Sequence, residues 1–402
     1  MEKTWRWFGE KDKVTLGMLR QIGVEGVVTS LYDLPNCEVW NLEAVEGLKR
    51  NIESFGLRWS VVESLPVSEQ IKYAGPERDR LIDSYITSLD NLGRCGVTTV
   101  CYNFMPVIDW VRTDLECPLP DGSTTLFFDY AKFAYFDLKI LSRECAEADY
   151  DDDVLAAVAE LERTVTEKEK KSLIDAIILK TQGFISGNFS AEEQSPIEKF
   201  RRLLAPYAGM SADALFENLR YFIDAVMPVC DRWNIDMCIH PDDPPLKKVF
   251  GLPRIMTDAD DVRRLLEANG NPHNGLTFCA GSLSAGKDND VVAMAREFAP
   301  RTRFVHLRSC DVLPNGDFIE ASHTGGQADL VELCRIFLSE ESRRGKEIPM
   351  RVDHGRNILS DRDGGYNPGY GFNGRMLAFG QVEGMLCAVE NELKNDNFKR
   401  YE

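Results

Sequence analysis

Four short runs decide the fold of this 402-residue chain: IDMCIH (235–240), LTFCA (276–280), RFVHLR (303–308) and PMRVDH (349–354). Each is rich in apolar and β-branched residues, which is typical of a buried parallel strand. Four similar runs come before them: TWRWF (4–8), VEGVVTS (24–30), LRWSVVE (57–63) and VTTVCYNF (97–104). Helical patterns lie between the runs, at 14–22, 42–55, 79–92 and 212–233. Strands that alternate with helices build parallel βαβ units, and eight units close a barrel, so we predict an α/β fold of the (β/α)8 TIM-barrel type.

A doubly wound open sheet is the alternative fold. It is less well supported, because no G-x-G-x-x-G follows a predicted strand and the sequence has no P-loop. About 130 residues separate the fourth and fifth runs, where a barrel unit needs only about 30. Charged helices are expected there at 137–166 and 167–182. We therefore predict one barrel domain over residues 1–402 with a helical insertion at about 137–200. The charge runs of the insertion are expected to form a solvated face. A lid or an oligomer contact is a secondary role for it.

Composition restricts the partners and the compartment. The chain has 47 Lys and Arg against 65 Asp and Glu, a net charge of −18, which argues against nucleic acid as a partner. An acidic substrate would need local cations or a metal. The N-terminal stretch MEKTWRWFGEKDKVTL does not have the apolar region typical of a signal peptide, no apolar run is long enough for a membrane span, and the 11 cysteines include no C-x-x-C. We expect a cytoplasmic protein with free thiols and without a membrane partner.

Residues that can bind a metal stand at the ends of the last four predicted strands. They are His240, Cys279, His306 and Asp353. The carboxyl ends of barrel strands converge on one mouth, so two imidazoles, one thiolate and one carboxylate are expected to meet there. Together they can fill four positions around a divalent cation. A single histidine at a strand end is more often a hydrogen-bonded structural residue, so the case rests on four ligand-type residues at four consecutive strand ends.

Flanking residues extend this candidate site. Asp242 and Asp243 either orient the ligands or cap the next helix. Arg308 follows His306 by two residues, so both are expected to face the same side, where Arg308 either binds an acidic substrate or forms a structural salt bridge. His323, on the loop after strand seven, is a candidate substrate contact.

Two further residues are candidates for proton transfer. If Asp353 binds metal, His354 remains free as an acid or base, because neighbouring residues of a strand alternate in direction. Tyr370, after a Gly-rich loop, is a second candidate. In contrast, His273 precedes strand six and belongs to the opposite end of the barrel, where a structural or exposed role is expected.

The chain resembles the mannonate dehydratase family, the metal-dependent enzymes of hexuronate breakdown. The resemblance rests on WSVVESLPV (59–67), CIHPDDPP (238–245), FCAGS (278–282), FVHLRS (304–309), FIEASHTGG (318–326), PMRVDHG (349–355) and NPGY (367–370). These blocks extend over nearly the whole chain in the family's order. Val352 departs from the proline expected before Asp-His-Gly, a change of backbone stiffness more than of chemistry.

The resemblance implies a xylose-isomerase-like barrel that converts D-mannonate to 2-keto-3-deoxy-D-gluconate and water. It implies His240, Cys279, His306 and Asp353 as ligands of one Mn²⁺ or Fe²⁺ per chain, although a thiolate ligand makes Zn²⁺ competitive. His354 and Tyr370 would then be the proton-transfer pair, without an indication of which is the acid. A homodimer is also implied.

Three other functions remain open at this point. A sugar isomerase could use the same barrel and metal, but it would not release water. A metal-dependent nuclease would need a basic surface, which the net charge of −18 opposes. A sugar-acid-binding barrel without catalysis would bind D-mannonate and leave it unchanged.

Overall fold

Eight parallel strands form a closed barrel in the computed structural model, which describes residues 1–182, 189 and 193–399. The barrel strands are β1 (Glu2–Arg6), β2 (Gly26–Thr29), β3 (Arg58–Glu63), β4 (Thr99–Tyr102), β5 (Asp236–Ile239), β6 (Asn274–Cys279), β7 (Thr302–His306) and β8 (Pro349–Arg351). Each strand pairs with its neighbours in the sequence, and β1 pairs with β8 to close the barrel. All eight predicted strands are present, so the TIM-barrel prediction is confirmed.

The last strand is shorter than predicted. It ends at Arg351, three residues before the expected end at His354. Asp353 has a φ of +57°, in the left-handed region that aspartate tolerates better than most residues. The alternation used to separate Asp353 from His354 therefore does not apply, and both side chains are aimed by a loop.

Helices surround the barrel at Leu16–Gln21, Leu42–Ser54, Arg78–Arg94, Ala212–Trp233, Ala259–Ala268, Val291–Phe298, Leu330–Arg344 and Phe372–Lys399. The helix Ala212–Trp233 coincides with its prediction. Ser211 caps its first turn by accepting a hydrogen bond from the Ala214 backbone, and Asn234 ends it with a φ of +54°. Short helices lie at Glu69–Lys72 and Ala280–Ser284, and 3₁₀ turns at Ala299–Arg301 and Leu359–Asp361.

The segment between β4 and the helix Ala212–Trp233 contains more short elements than predicted. Its helices are Tyr130–Tyr135, Phe136–Leu141 (π), Ala146–Asp149 (3₁₀), Asp152–Thr164, Glu167–Ile174, Asp175–Lys180 (π), Pro196–Leu204 and Ala205–Tyr207 (3₁₀). The prediction of one helix over 137–166 is wrong, because Ser142 and Cys145 adopt left-handed φ angles and interrupt it. Residues 183–188 and 190–192 of the predicted insertion lie outside the described residues.

A second sheet, absent from the prediction, lies at the mouth of the barrel. Its antiparallel strands are Cys310–Val312, Phe318–Glu320, Thr124–Phe128 and Asp114–Pro118, in that spatial order. We call it the mouth sheet, because Cys310 follows the carboxyl end of β7 by four residues. A two-stranded ribbon, Lys248–Val249 with Leu252–Pro253, follows β5. The mouth sheet connects the inserted segment to the loop after β7.

Across the part of the chain that the structure describes, no helix combines the length and apolar character needed to cross a lipid bilayer.

Candidate active site

Three of the four predicted metal ligands meet at the barrel mouth. His240 directly follows β5, while Cys279 and His306 are the last residues of β6 and β7. One ligand atom of each residue lies within 4.8 Å of the other two. The two imidazole rings are 5.2 Å apart between centroids. The convergence of parallel strand ends thus brings two nitrogen donors and one sulfur donor to a single point.

The donor set suits a divalent transition-metal ion. Burial and the nearby guanidinium of Arg351 hold the pKa of His306 well below its ordinary value, so the imidazole is neutral, and its Nδ1 is buried without a hydrogen-bond partner among the described residues. Burial lowers the pKa of His240, but the Cys279 sulfur outweighs burial and raises it to about 9. The surroundings of His240 and Cys279 therefore favour a positive charge, as expected of nitrogen and sulfur atoms that can bind a cation.

Asp353 lies beside this group. Its Oδ2 is 3.8 Å from the Cys279 sulfur and 3.7 Å from His306 Nδ1. The same carboxylate accepts hydrogen bonds from Arg351 and, at 2.6 Å, from Arg308 Nε. Burial favours the protonated form, but Arg351, His354 and Arg308 outweigh it and hold the pKa of Asp353 well below its ordinary value. Asp353 is thus a charged carboxylate next to the three donors, and its part as the fourth ligand stays a prediction.

Alternating buried charges connect the site to the rest of the mouth. We call this set the charge chain, and its members, none more than 7% exposed, are Arg6, Glu63, Arg351, Asp353, Arg308, Glu320, Asp243 and Arg112. Arg6 Nη1 and Arg351 Nη2 each lie 2.7 Å from Glu63 Oε1. At the other end, Arg112 lies 2.6 Å from both Asp243 and Glu320. Four cations balance four carboxylates, which is the condition for burying so many ions.

Arg308 is the centre of the charge chain. Its three nitrogens contact Asp353 at 2.6 Å, Glu320 at 2.9 Å and Asp243 at 2.5 Å. Gly281 makes room for it, because a Cβ there would lie 2.3 Å from Arg308 Cγ. These contacts are those of a residue that positions carboxylates, the structural role considered for it, while its predicted contact with the substrate stays a prediction.

The two predicted proton-transfer residues adjoin each other. The rings of His354 and Tyr370 meet edge to face, with centroids 5.3 Å apart. His354 Nδ1 lies 3.1 Å from Glu320 Oε1, and the Tyr370 hydroxyl donates to Asp353 Oδ1 over 3.4 Å. Burial and the Asp353 carboxylate raise the pKa of Tyr370 above its ordinary value, so the phenol is protonated at neutral pH.

The other two histidines lie elsewhere. His323 is buried, and its Nε2 is 2.8 Å from the Val352 carbonyl oxygen, so it supports the backbone before Asp353. Its predicted contact with substrate stays a prediction. His273 forms a 3.0 Å contact with Asp236 at the opposite end of the barrel, which is the structural role expected for it.

Two adjoining cavities open at the mouth. The smaller, about 40 Å³, is lined by Glu63, His240, Asp353, His354 and Tyr370 among others. The larger, about 640 Å³, lies over the exits of the first strands. Arg6, Ser64, Asn103 and Asp109 line both. The candidate metal ligands and proton-transfer residues therefore face a confined space that adjoins a much wider one.

Most of the charge chain was not identified from the sequence. Glu63 and Arg351 end β3 and β8, so the rule that found the histidines could have found them too. Glu320 and Arg112 do not end a barrel strand, so this rule could not find them. Glu320 lies in the mouth sheet, whose strands are short and joined by polar turns.

Comparison with known proteins identifies the family. The family model described as D-mannonate dehydratase matches residues 1–396. A mannonate dehydratase from Marinomonas sp. (strain MWYL1) is 43% identical over 401 residues, covering 98% of this chain and all of that protein. The crystal structure of mannonate dehydratase from Streptococcus suis serotype 2 superposes with a TM-score of 0.77 at 34% identity, covering 98% of this chain and 96% of that one.

The fold has wider relatives as well. A xylose isomerase domain protein from Alicyclobacillus acidocaldarius superposes with a TM-score of 0.51 at 11% identity, covering 97% of this chain and 99% of that one. This likeness supports a xylose-isomerase-like barrel and nothing beyond the fold. The whole-length family match and the 43% identity go further, and this chain belongs to the D-mannonate dehydratase family.

Proposed function

We propose that this chain removes water from D-mannonate to give 2-keto-3-deoxy-D-gluconate. The observation that carries the proposal is the proximity of two kinds of groups in one cavity. His354 and Tyr370, with ring centroids 5.3 Å apart, line the same small cavity as His240 and Asp353. A dehydration needs a base at one carbon, an acid at the next and stabilisation of negative charge, and these groups can supply all three.

The proposed metal ligands are His240, Cys279, His306 and Asp353, which would hold one Mn²⁺ or Fe²⁺ per chain. The convergence of His240, Cys279 and His306, whose ligand atoms all lie within 4.8 Å of one another, supports this assignment. A divalent ion bound there would act as a Lewis acid toward the oxygens next to the reacting carbons. Arg308 and Arg351 both donate hydrogen bonds to the Asp353 carboxylate, so the orientation of this carboxylate is fixed by the protein.

His354 is the proposed base for the C2 proton. Its Nδ1 donates to Glu320 Oε1 at 3.1 Å, which leaves the lone pair of Nε2 available. Glu320 is held in turn by Arg308 and Arg112 at 2.9 and 2.6 Å. When His354 takes the proton, the neighbouring carboxylate stabilises the imidazolium that forms, as in other carboxylate–histidine pairs.

Tyr370 is the proposed acid for the C3 hydroxyl. Hydroxide is a poor leaving group, and the protonated phenol can deliver a proton as the C3–O bond breaks. The electron pair of the C2–H bond becomes the C2=C3 double bond of an enol, and one water molecule leaves. The enol then tautomerises, since C3 takes a proton and the C2 hydroxyl releases one as the C2=O bond forms, which gives the 2-keto-3-deoxy acid.

A homodimer and a cytoplasmic location complete the proposal, as the family and the sequence lead us to expect.

Turnover in D₂O tests the reaction. The protein loaded with Mn²⁺ is incubated anaerobically with D-mannonate in D₂O, and the products are followed by NMR. The proposal expects 2-keto-3-deoxygluconate with one deuterium at C3, because the enol takes that hydrogen from exchangeable sites. Conversion to a ketose without loss of water would favour an isomerase, and recovery of unchanged D-mannonate after tight binding would favour a binding protein.

A further inference from the structure

Glu63 carries a buried carboxylate oxygen that nothing in the described part of the chain satisfies. Its Oε1 accepts from Arg6 and Arg351, each at 2.7 Å, whereas its Oε2 has no hydrogen-bond partner. His306 Nε2 is 3.7 Å from Oε2, beyond hydrogen-bond distance, and accepts from Arg351 Nε at 3.0 Å. A buried carboxylate oxygen without a donor is costly, so its presence requires an explanation.

The surroundings of Glu63 indicate where a donor would come from. Glu63 lines the small cavity together with His354 and Tyr370. Two of its neighbours, Arg6 and Ser64, line both the small and the large cavity. The Glu63 side chain therefore lies beside the passage from the proposed reacting groups to the wider space.

We propose that Oε2 of Glu63 accepts a hydrogen bond from the C4 hydroxyl of the bound sugar acid. The inference rests on the proposed function, in which C2 and C3 react next to His354 and Tyr370. The small cavity, about 40 Å³, cannot enclose all six carbons, so C4 to C6 extend toward the large cavity. C4 carries the first hydroxyl beyond the reacting pair, and it passes Glu63 first. Glu63 is thus a specificity residue whose counter-charges are the two arginines.

A substrate analogue combined with a variant tests this contact. In 4-deoxy-4-fluoro-D-mannonate, fluorine replaces the hydroxyl at similar size but cannot donate a hydrogen bond. Glu63→Gln keeps the shape of the side chain and replaces the acceptor oxygen by an amide nitrogen. The matched control variant is Glu340→Gln, which alters another buried glutamate paired with arginines, far from the mouth. The control substrate is 5-deoxy-5-fluoro-D-mannonate.

The wild type and Glu340→Gln are expected to lose about ten- to a hundredfold in kcat/KM on the 4-fluoro analogue, as for a hydrogen bond to a charged group. Glu63→Gln should discriminate between D-mannonate and this analogue by less than about threefold, since the amide needs no donor. The 5-fluoro analogue should affect all three proteins equally.

Equal proportional losses in the wild type and Glu63→Gln would overturn the contact and leave Glu63 a structural role. If Glu63→Gln instead reduced the loss in kcat/KM on the 5-fluoro analogue, the assignment to the C4 hydroxyl would be overturned. If Glu63→Gln does not fold, the wild type decides alone, because equal losses on the two analogues would contradict the proposal. Wild-type protein that does not convert D-mannonate at all would instead contradict the proposed function.

Discussion

Replacing Arg112 by methionine is expected to destabilise the protein by about 3–5 kcal/mol, the cost of removing one partner from a buried ion pair. Arg112 is fully buried and contacts Asp243 and Glu320, both at 2.6 Å. Methionine fills much of the space without a charge. Asp243 and Glu320 would then keep only one arginine partner, Arg308. The loss comes from those uncompensated charges and not from a cavity.

The ionisation of Glu320 supports this magnitude. Burial raises the pKa of its carboxyl, but Arg308 and Arg112 outweigh burial and lower the pKa from 4.5 to about 2. That difference corresponds to about 3 kcal/mol of stability at neutral pH, to which Arg308, Arg112 and His354 all contribute. Because the pKa is lower in the folded state, this stability is present above pH 4.5 and is lost as the pH falls toward 2. The difference in the free energy of unfolding between wild type and Arg112→Met should therefore become smaller as the pH falls from 4.5 toward 2.

The assay is chemical denaturation followed by circular dichroism and tryptophan fluorescence, at pH 7.5 and pH 3.5. The control is Arg263→Met, since Arg263 also contacts two carboxylates, Asp260 and Glu297, both at 2.5 Å, but on the exposed surface. Exposed ion pairs contribute little to stability, so the unfolding midpoint of Arg263→Met should remain near that of the wild type. Equal stability of Arg112→Met and wild type at pH 7.5, or equal losses in the two variants, would refute the reasoning.

Three further predictions concern the site. Replacing Cys279 by serine should lower the affinity for Mn²⁺ at least tenfold in a calorimetric titration while the far-UV spectrum stays unchanged, and unaltered affinity would remove the sulfur from the ligand set. His354→Gln and Tyr370→Phe should each lower kcat by about 10²–10⁴-fold with metal content preserved, and a rate near wild type in either variant would remove that residue from the proton-transfer pair. Gly281→Ala should lower the free energy of unfolding by about 1–3 kcal/mol, because the added methyl group would lie 2.3 Å from the side chain of Arg308. The control Gly380→Ala has open space around the added methyl group and should lose no stability. Equal stability of the two variants in chemical denaturation would contradict the packing argument.

The barrel could be predicted from the sequence because its signal repeats. Each barrel strand is a short apolar run between helical patterns, and a run such as Gly26–Thr29 is buried throughout. The same regularity predicted the convergence of His240, Cys279 and His306, since residues at strand ends share one mouth.

The mouth sheet and the charge chain depend on contacts that no local pattern encodes. Glu320 reaches His354 because Phe318–Glu320 pairs with Thr124–Phe128, a strand nearly 200 residues away in the sequence. Arg112 gave no signal, because an arginine on a loop is usually exposed. The helix predicted over 137–166 failed for a local reason, since left-handed residues at Ser142 and Cys145 are not marked by glycine.

Metal reconstitution tests the central claim most directly. Protein stripped of metal is titrated anaerobically with Mn²⁺ or Fe²⁺, and bound metal and the formation of 2-keto-3-deoxygluconate from D-mannonate are measured on the same samples. The account predicts no product without metal and activity that rises in proportion to occupancy up to one ion per chain. Full activity of the stripped protein, or folded protein that binds one ion and forms no product, would contradict it.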